Sequence, residues 1–301
     1  MKFSTPHTLK SIAALFDLSF EGNPDLPVLG CNEIHVVEQG DIVFCDNAKY
    51  YEKAFKSNAS VVLVKESTSF PEGKGILIAN DPFVTFNAIN EYFVAPQKAS
   101  DFKSRVHESS QIAANASIGE NVSIGKNCII HPGVVIYNNC TIGDNVTIHA
   151  NTVIGADGFY FQKRPEIGYL PLYNSGNVVI EDDVIIGALV TIDKGVTAST
   201  TIKKGCRIDN QVHIGHDTVV GEYTLIAGQN AIAGCVLIGN HVKIWGSSAI
   251  SSGLIIEDNA EILAFSGVDK NVKTGSRVWG APARDAREKL KEIATLRRLA
   301  K

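Results

Sequence analysis

An aliphatic residue returns every sixth position over most of this chain, and few folds accept that spacing. From Val106 it recurs at Ile112, Ile118, Ile124, Ile130, Ile136, Ile142, Ile148 and Ile154 without a miss. The register breaks, resumes at Ile180, Ile186 and Ile192, slips by four residues, and runs from Ile202 through twelve positions to Val268. Two places before the aliphatic there is usually a small or compact residue, as at Val122, Cys128, Val134, Cys140, Cys206 and Val212. Two inward positions in six describe short strands, alternating in and out, interrupted by corners. An amphipathic helix would need a period of 3.6, and a sandwich of irregular strands would not hold its spacing this long.

Three hexads close a triangle, so one coil takes eighteen residues and stacks on the next at the ~4.8 Å spacing of hydrogen-bonded strands. Twenty-four hexads give eight coils. Gly, Asn and Asp follow many aliphatic positions, in Ile-Gly-Glu-Asn, Ile-Gly-Lys-Asn and Ile-Gly-Asp-Asn. Such residues are expected where corners require tight or left-handed backbone. The spacing leaves function open, because a bare hexapeptide helix can serve as an acyltransferase, a carbonic anhydrase or a purely structural domain.

Residues 1 to about 100 lack the hexad and read as a small α/β unit. Helices are predicted near Thr8–Phe16, from Tyr51 and over Pro82–Tyr92, with strands near Ile34–Val37, Ile42–Phe44, Val61–Val64 and Ile76–Ile78. Ala95–Ser100 reads as a link. Beyond Gly280-Ala-Pro-Ala283 the residues to Lys301 predict a helix with Leu290, Ile293, Leu296 and Leu299 on one face. From Lys270 to Lys301 ten basic residues face three acidic ones. That tail suits a solvated helix packing its leucines on neighbours, and equally a docking surface for an acidic carrier protein.

The net charge of -4 offers no concentrated basic face for nucleic acid. No stretch approaches the ~20 apolar residues that span a bilayer, so a soluble, cytoplasmic protein is expected. The six cysteines show neither C-x-x-C pairs nor zinc-like histidine spacing, and metal and disulfides are both unsupported. His131 and His149, eighteen apart, should stack, with a structural role.

Of the eight histidines, His216 stands two residues after the inward Ile214, at a corner and pointing outward. An imidazole with an ordinary pKa of ~6.5 suits general base work, though a lone corner histidine can also be surface decoration. Eighteen residues on lies Gly234, in register on the adjacent coil. Its N–H, unshielded by a side chain, could meet an oxyanion formed when an amine attacks a thioester. A turn glycine would read the same way. His213 and His216 share one hexad, with no third ligand on a neighbouring coil to complete a zinc site.

With these features, and with Gly155-Ala-Asp-Gly-Phe-Tyr-Phe161, Ser175-Gly-Asn-Val-Val-Ile180, Thr191-Ile-Asp-Lys-Gly195, Ile208-Asp-Asn-Gln-Val212, Ile214-Gly-His216 and Gly280-Ala-Pro-Ala283, the chain resembles the UDP-3-O-(3-hydroxyacyl)glucosamine N-acyltransferases of lipid A synthesis over nearly its whole length. The resemblance implies a left-handed parallel β-helix over 101–280, an α/β uridine-binding domain over 1–100, a helical tail over 281–301, and assembly as a trimer. It implies transfer of a 3-hydroxyacyl chain from acyl carrier protein to the 2-amine of a UDP-linked glucosamine, without a further cofactor. His216 would be the base and Gly234 the oxyanion donor. Asn210 matches a residue near the acyl chain. Phe44, Asn47 and Tyr50 match the uracil site, where rings sandwich the base and the amide reads its edge; such stacking is worth ~1–3 kcal/mol per base.

This chain departs from the family pattern at three places. Ser252-Gly253 stands where a Gly-His pair is usual, His213 where glutamine is usual, and Tyr160 where a glycine is usual between two phenylalanines. His213 is a candidate to restore a lost contact, or a plain surface histidine. The departures leave room for another UDP-amino sugar as acceptor, and a non-catalytic trimer binding nucleotide sugar is a separate reading.

Overall fold

The computed structural model describes residues 1–94 and 103–300, so the predicted link at Ala95–Ser100 lies outside the described residues. Two compact units emerge. One contains residues 1–94 together with 160–176 and 196–198, and the other the remaining described chain. Both 160–176 and 196–198 fall inside the range that the sequence assigns to the solenoid.

The second unit is a parallel β-solenoid of three faces with eight, ten and eight strands. Its strands are mostly two residues long, and each pairs in parallel with the strand one coil away, except that Arg284–Asp285 closes the ten-stranded face antiparallel to Arg277–Trp279. Ile124 pairs with Val106 and Ile142, Ile214 with Ile232, and Ile232 with Ile250, all at eighteen residues. At the two breaks the step lengthens, with Ile142 opposite Ile180 and Ile180 opposite Ile202. Ile262 then pairs with Val278, carrying the stack beyond the last hexad at Val268. The inward aliphatics and the compact residues two before them form one continuous buried core. His131 and His149 stack as expected, ring centroids 4.7 Å apart and 14° from parallel.

The corners divide their labour differently from the sequence expectation. The left-handed residue is the third after the aliphatic, at Asn121 (φ 53°), Asn127 (φ 54°) and Asn145 (φ 57°), where a short amide side chain tolerates that backbone. Except at Gly155 (φ 87°), the glycine directly after the aliphatic keeps ordinary φ. It is needed for space, since a Cβ on Gly119 would lie 2.4 Å from Asn138 Oδ1, and one on Gly239 2.4 Å from Asp258 Oδ1. Those side chains cap the corner N–H groups of the coil before them. Glu120 N–H donates to Asn138 Oδ1, Lys126 N–H to Asp144 Oδ1 and Asn240 N–H to Asp258 Oδ1. Close coil-to-coil approach and full corner hydrogen bonding therefore arrive together.

The first unit is a six-stranded sheet in the order β1-β3-β4-β5-β6-β2, made of β1 (Lys2–Thr8), β2 (Ser19–Glu21), β3 (Pro27–Cys31), β4 (Asp41–Phe44), β5 (Val61–Val64) and β6 (Gly75–Ile78). The inner strands are parallel and the two edges antiparallel. Val61 and Leu63 face a core with α1 (Leu9–Leu15) and α3 (Pro82–Val94), while Val62 and Val64 face one with α2 (Tyr51–Lys56). Burial on both faces explains the unbroken apolar run of β5. The predicted strand at Ile34–Val37 is a turn, closed by Val36 N–H donating to Glu33 O; Val37 is apolar because it is buried, not because it is paired. Strands β1, β2 and β3 went unpredicted, since Pro6 within β1 and the brevity of β2 blunt their pattern.

The C-terminal helix spans Ala286–Leu299, with the Asp285 carboxylate accepting from the N–H groups of Arg287 and Glu288. Leu290, Leu296 and Leu299 are all exposed. No helix among the described residues is long and apolar enough to cross a membrane.

Ile226 is fully buried at mid-solenoid. Ile226→Ala is expected to lower unfolding free energy by about 2–5 kcal/mol, from lost burial plus the cavity left behind, as read from denaturant titration.

Candidate active site

His216 follows the strand His213–Ile214 and enters a corner whose left-handed positions stack as Asp217 (φ 56°), Cys235 (φ 61°) and Gly253 (φ 72°). Cys235 N–H donates to His216 O at 2.7 Å, and Gly253 N–H to Gly234 O at 3.1 Å. The imidazole is at an outer edge, as the spacing predicts, and it does not join the aliphatic core of the tube. It is nonetheless only 8% exposed, where an outward-pointing ring was expected. Gly158 packs closely over the histidine, so that a Cβ there would lie 2.5 Å from His216 Cβ.

The next residue sets the chemistry of that ring. Asp217 Oδ2 lies 2.9 Å from His216 Nδ1, and the Asp217 side chain is fully buried. A carboxylate can only accept, so Nδ1 carries the proton and the basic lone pair sits on Nε2. Asp217 is held in turn by its own N–H donating to Thr200 Oγ1 at 2.9 Å. Sequence reasoning missed Asp217. The signal was its place in the corner slot that other coils fill with Asn or Asp, where left-handed backbone lets adjacent side chains meet.

Gly234 lies where the eighteen-residue register places it. Gly234 does lie in the corner turn, but with an ordinary φ, so left-handed backbone is not what calls for a glycine there. The reason is space. A Cβ would stand 2.5 Å from His216 Nε2, 2.7 Å from Cε1 and 2.8 Å from Cδ2. The corner ladder is also interrupted here. By position Ser252 should cap the Gly234 N–H as Asn and Asp do elsewhere, yet its hydroxyl donates to Gly234 O at 2.7 Å. Among the described residues Gly234 N–H has no acceptor. A basic nitrogen and an uncapped amide thus meet at one corner.

His213 sits on the same face, half-exposed, with Nδ1 2.8 Å from Thr191 Oγ1 and Nε2 3.8 Å from Asp193 Oδ2. Burial pushes the Asp193 carboxyl above its ordinary pKa, while the two nearby imidazoles, His213 and His216, pull it down. Asn210 does not join this group. Its Oδ1 accepts from Ala188 N–H at 2.7 Å, and its carbonyl accepts from Gln229 N–H, which puts it on a different corner.

In the first unit, Phe44, Asn47 and Tyr50 line one cleft of about 470 Å³ with Asp46, Lys53 and Ile34. Phe44 ends β4 and leans on Phe86 and Phe83, at ring-centroid distances of 4.9 and 5.7 Å. Asn47 Oδ1 accepts from Lys49 N–H, which leaves its amide NH2 as the remaining polar group of that side chain. Tyr50 is exposed, with the Lys49 ammonium 4.5 Å from its ring centroid. Tyr160 and Gln162 also line the cleft and were not foreseen. Tyr160 leads into, and Gln162 lies on, the hairpin Phe161–Arg164 and Gly168–Pro171, whose Arg164 binds Asp46 at 2.8 Å and Asp81 at 2.7 Å. Burial pushes the Asp81 carboxyl up, but the Arg164 contacts and the backbone N–H groups of Val84 and Phe83 together hold it below its ordinary pKa.

Coil architecture and corner chemistry define the class as a hexapeptide-repeat acyltransferase, and residues 103–138 and 123–156 match the bacterial transferase hexapeptide family. Residues 25–92 match the family described as UDP-3-O-(3-hydroxymyristoyl) glucosamine N-acyltransferase. The chain is 37% identical to UDP-3-O-acylglucosamine N-acyltransferase 1 of Sulfurimonas denitrificans, over 97% of this chain and 99% of that one. It is 35% identical to the UDP-3-O-acylglucosamine N-acyltransferase of Campylobacter lari, over 90% and 91%. The solved UDP-N-acetylglucosamine acyltransferase of Francisella novicida superposes with a TM-score of 0.51 at 27% identity, covering 63% of this chain and 71% of that one. The chain belongs to the UDP-3-O-acylglucosamine N-acyltransferase family, and its solenoid is the left-handed parallel β-helix of such enzymes.

Gly234→Ala must displace the imidazole or the coil edge. Transfer is expected to fall at least 100-fold, on the scale lost with one oxyanion donor, while circular dichroism stays that of the folded β-helix.

Proposed function

We propose that this chain moves a 3-hydroxyacyl group from acyl carrier protein to the 2-amine of UDP-3-O-acylglucosamine, with His216 as base and Gly234 N–H as oxyanion donor. The observation carrying this reading is the corner where His216 Nε2 lies against an uncapped glycine amide. As the amine attacks the thioester carbonyl, a C–N bond forms and Nε2 takes the amine proton. Asp217 stabilises the imidazolium. The carbonyl oxygen, now an oxyanion, accepts from Gly234 N–H. Collapse breaks the C–S bond, and the imidazolium returns the proton to the departing thiolate. The sequence of steps balances without a metal or redox cofactor.

The uridine would lie in the cleft of Phe44, Asn47 and Tyr50, with the Asn47 NH2 addressing a base carbonyl. His213, on the face of the base, is assigned to the sugar or its phosphates, and Asn210 to the acyl chain on its separate corner. We assign the trimer and a cytoplasmic setting on family membership, and division into a nucleotide-binding unit, a transfer solenoid and a helical tail on the same ground. A different UDP-amino sugar is the second reading, favoured by Ser252-Gly253 where the family has a second histidine.

Mass spectrometry of the product from UDP-3-O-acylglucosamine and a 3-hydroxyacyl carrier is expected to show one added acyl group as an amide. His216→Ala should reduce its rate by about 100- to 10,000-fold, the usual worth of a general base, with the fold retained. Substantial residual activity would refute the base; nucleotide-sugar binding with no transfer from any carrier would favour a non-catalytic protein.

A further inference from the structure

An amide that donates to an oxyanion gains strength and direction when its own carbonyl accepts a hydrogen bond, because the peptide dipole is polarised along the chain. The peptide bearing the Gly234 N–H is Ala233–Gly234, and its carbonyl oxygen, Ala233 O, accepts from the hydroxyl of Thr218 at 3.1 Å. Thr218 is fully buried, and its Oγ1 in turn accepts from Val236 N–H at 3.3 Å. Three groups therefore line up, Val236 N–H to Thr218 O–H to Ala233 C=O, and the line ends at the Gly234 amide.

Threonine-to-carbonyl bonds of this kind occur at other corners, with a different fate for the N–H of the peptide they hold. Thr152 donates to Gly187 O and Thr224 to Gly239 O. In both cases the N–H of the peptide so held is consumed by the next coil, Ala188 N–H by Asn210 Oδ1 and Asn240 N–H by Asp258 Oδ1. At Ala233–Gly234 the polarised N–H has no acceptor among the described residues, and it borders His216 Nε2. Along the same face of the tube, one coil to either side of Thr200 and Thr218, the equivalent positions are Val178 and Val236. The two hydroxyls coincide with the coils that carry the site. Thr200 holds Asp217, and Thr218 holds the glycine peptide.

We propose that Thr218 is a positioning residue for acyl transfer, orienting and polarising the Ala233–Gly234 peptide so that its N–H is strongest at the developing oxyanion. The proposal rests on Gly234 being the oxyanion donor. Thr218→Val removes the hydroxyl while keeping the branched shape already accepted at positions 178 and 236.

The test is steady-state kinetics of the full-length protein, with acyl carrier and UDP-3-O-acylglucosamine as substrates. Thr218→Val should lower kcat about tenfold, the effect of one hydrogen bond at the transition state, with KM for both substrates and the pH midpoint of kcat/KM unchanged. Thr218→Ser should recover most of the loss. A third protein, with glycolic acid in place of Gly234, turns that N–H into an ester oxygen and should be slower still. If this ester variant is slow and Thr218→Val keeps the parent kcat, the proposal fails and the Gly234 assignment survives. If the ester variant turns over at the parent rate, Gly234 is not the donor and the role of Thr218 falls with it. A Thr218→Val protein that loses thermal stability but not kcat also overturns the proposal, since the hydroxyl then serves only the fold.

Discussion

Everything in the solenoid follows from one steric constraint: successive coils approach so closely at the corners that backbone of one fills the space a Cβ of the other would need. The inward aliphatics enforce that approach by burying a continuous core, and the parallel ladder fixes it at hydrogen-bonding distance. Corners pay for it with glycine after the aliphatic and with Asn or Asp side chains that cap the N–H groups of the preceding coil. A site can arise in such a frame by a small departure. At Gly234 the capping side chain is replaced by Ser252, whose hydroxyl turns to the carbonyl, and the space a side chain would occupy is taken by an imidazole.

The electrostatics of that corner follow from burial. Asp217, fully enclosed, directs its charge at His216 Nδ1 without competition from solvent, which fixes the tautomer and stabilises the imidazolium that base catalysis would form. Asp193 is buried nearby at a cost to its charged form that His213 and His216 partly offset. Gly158 closes over the ring. The result is a histidine held in one orientation, whose basic nitrogen faces the glycine of the next coil.

Much of this was legible in the sequence, and the boundary has a physical reason. The six-residue period specifies local alternation and, through the eighteen-residue coil, the register between coils, so His216 and Gly234 could be brought together by counting. The period carries nothing about which way a corner side chain turns. Gly158, from a segment outside the repeat, packs on His216, and the pairing of His216 with Asp217 depends on a left-handed backbone at one residue. Corners were expected to need tight or left-handed backbone from Gly, Asn and Asp; Asn121, Gly133 and Gly205 take that backbone, whereas Gly119 and Gly239 answer to steric contact with the adjacent coil. In the first unit Phe44, Asn47 and Tyr50 were identified through family likeness alone. Tyr160 and Gln162 escaped because the hairpin that brings them belongs to the first unit although its sequence interrupts the second. The strand expected at Ile34–Val37 failed because an apolar run marks burial as readily as pairing.

The account depends on His216 presenting a neutral, basic Nε2 while Nδ1–H is bound to Asp217. Nitrogen-15 NMR of the imidazole in the folded protein, at a pH above its titration, reads this directly. A protonated Nδ1 and a bare Nε2, exchanged for the opposite tautomer in Asp217→Asn, is the predicted result. A bare Nδ1 with the proton on Nε2 in the unaltered protein would contradict it.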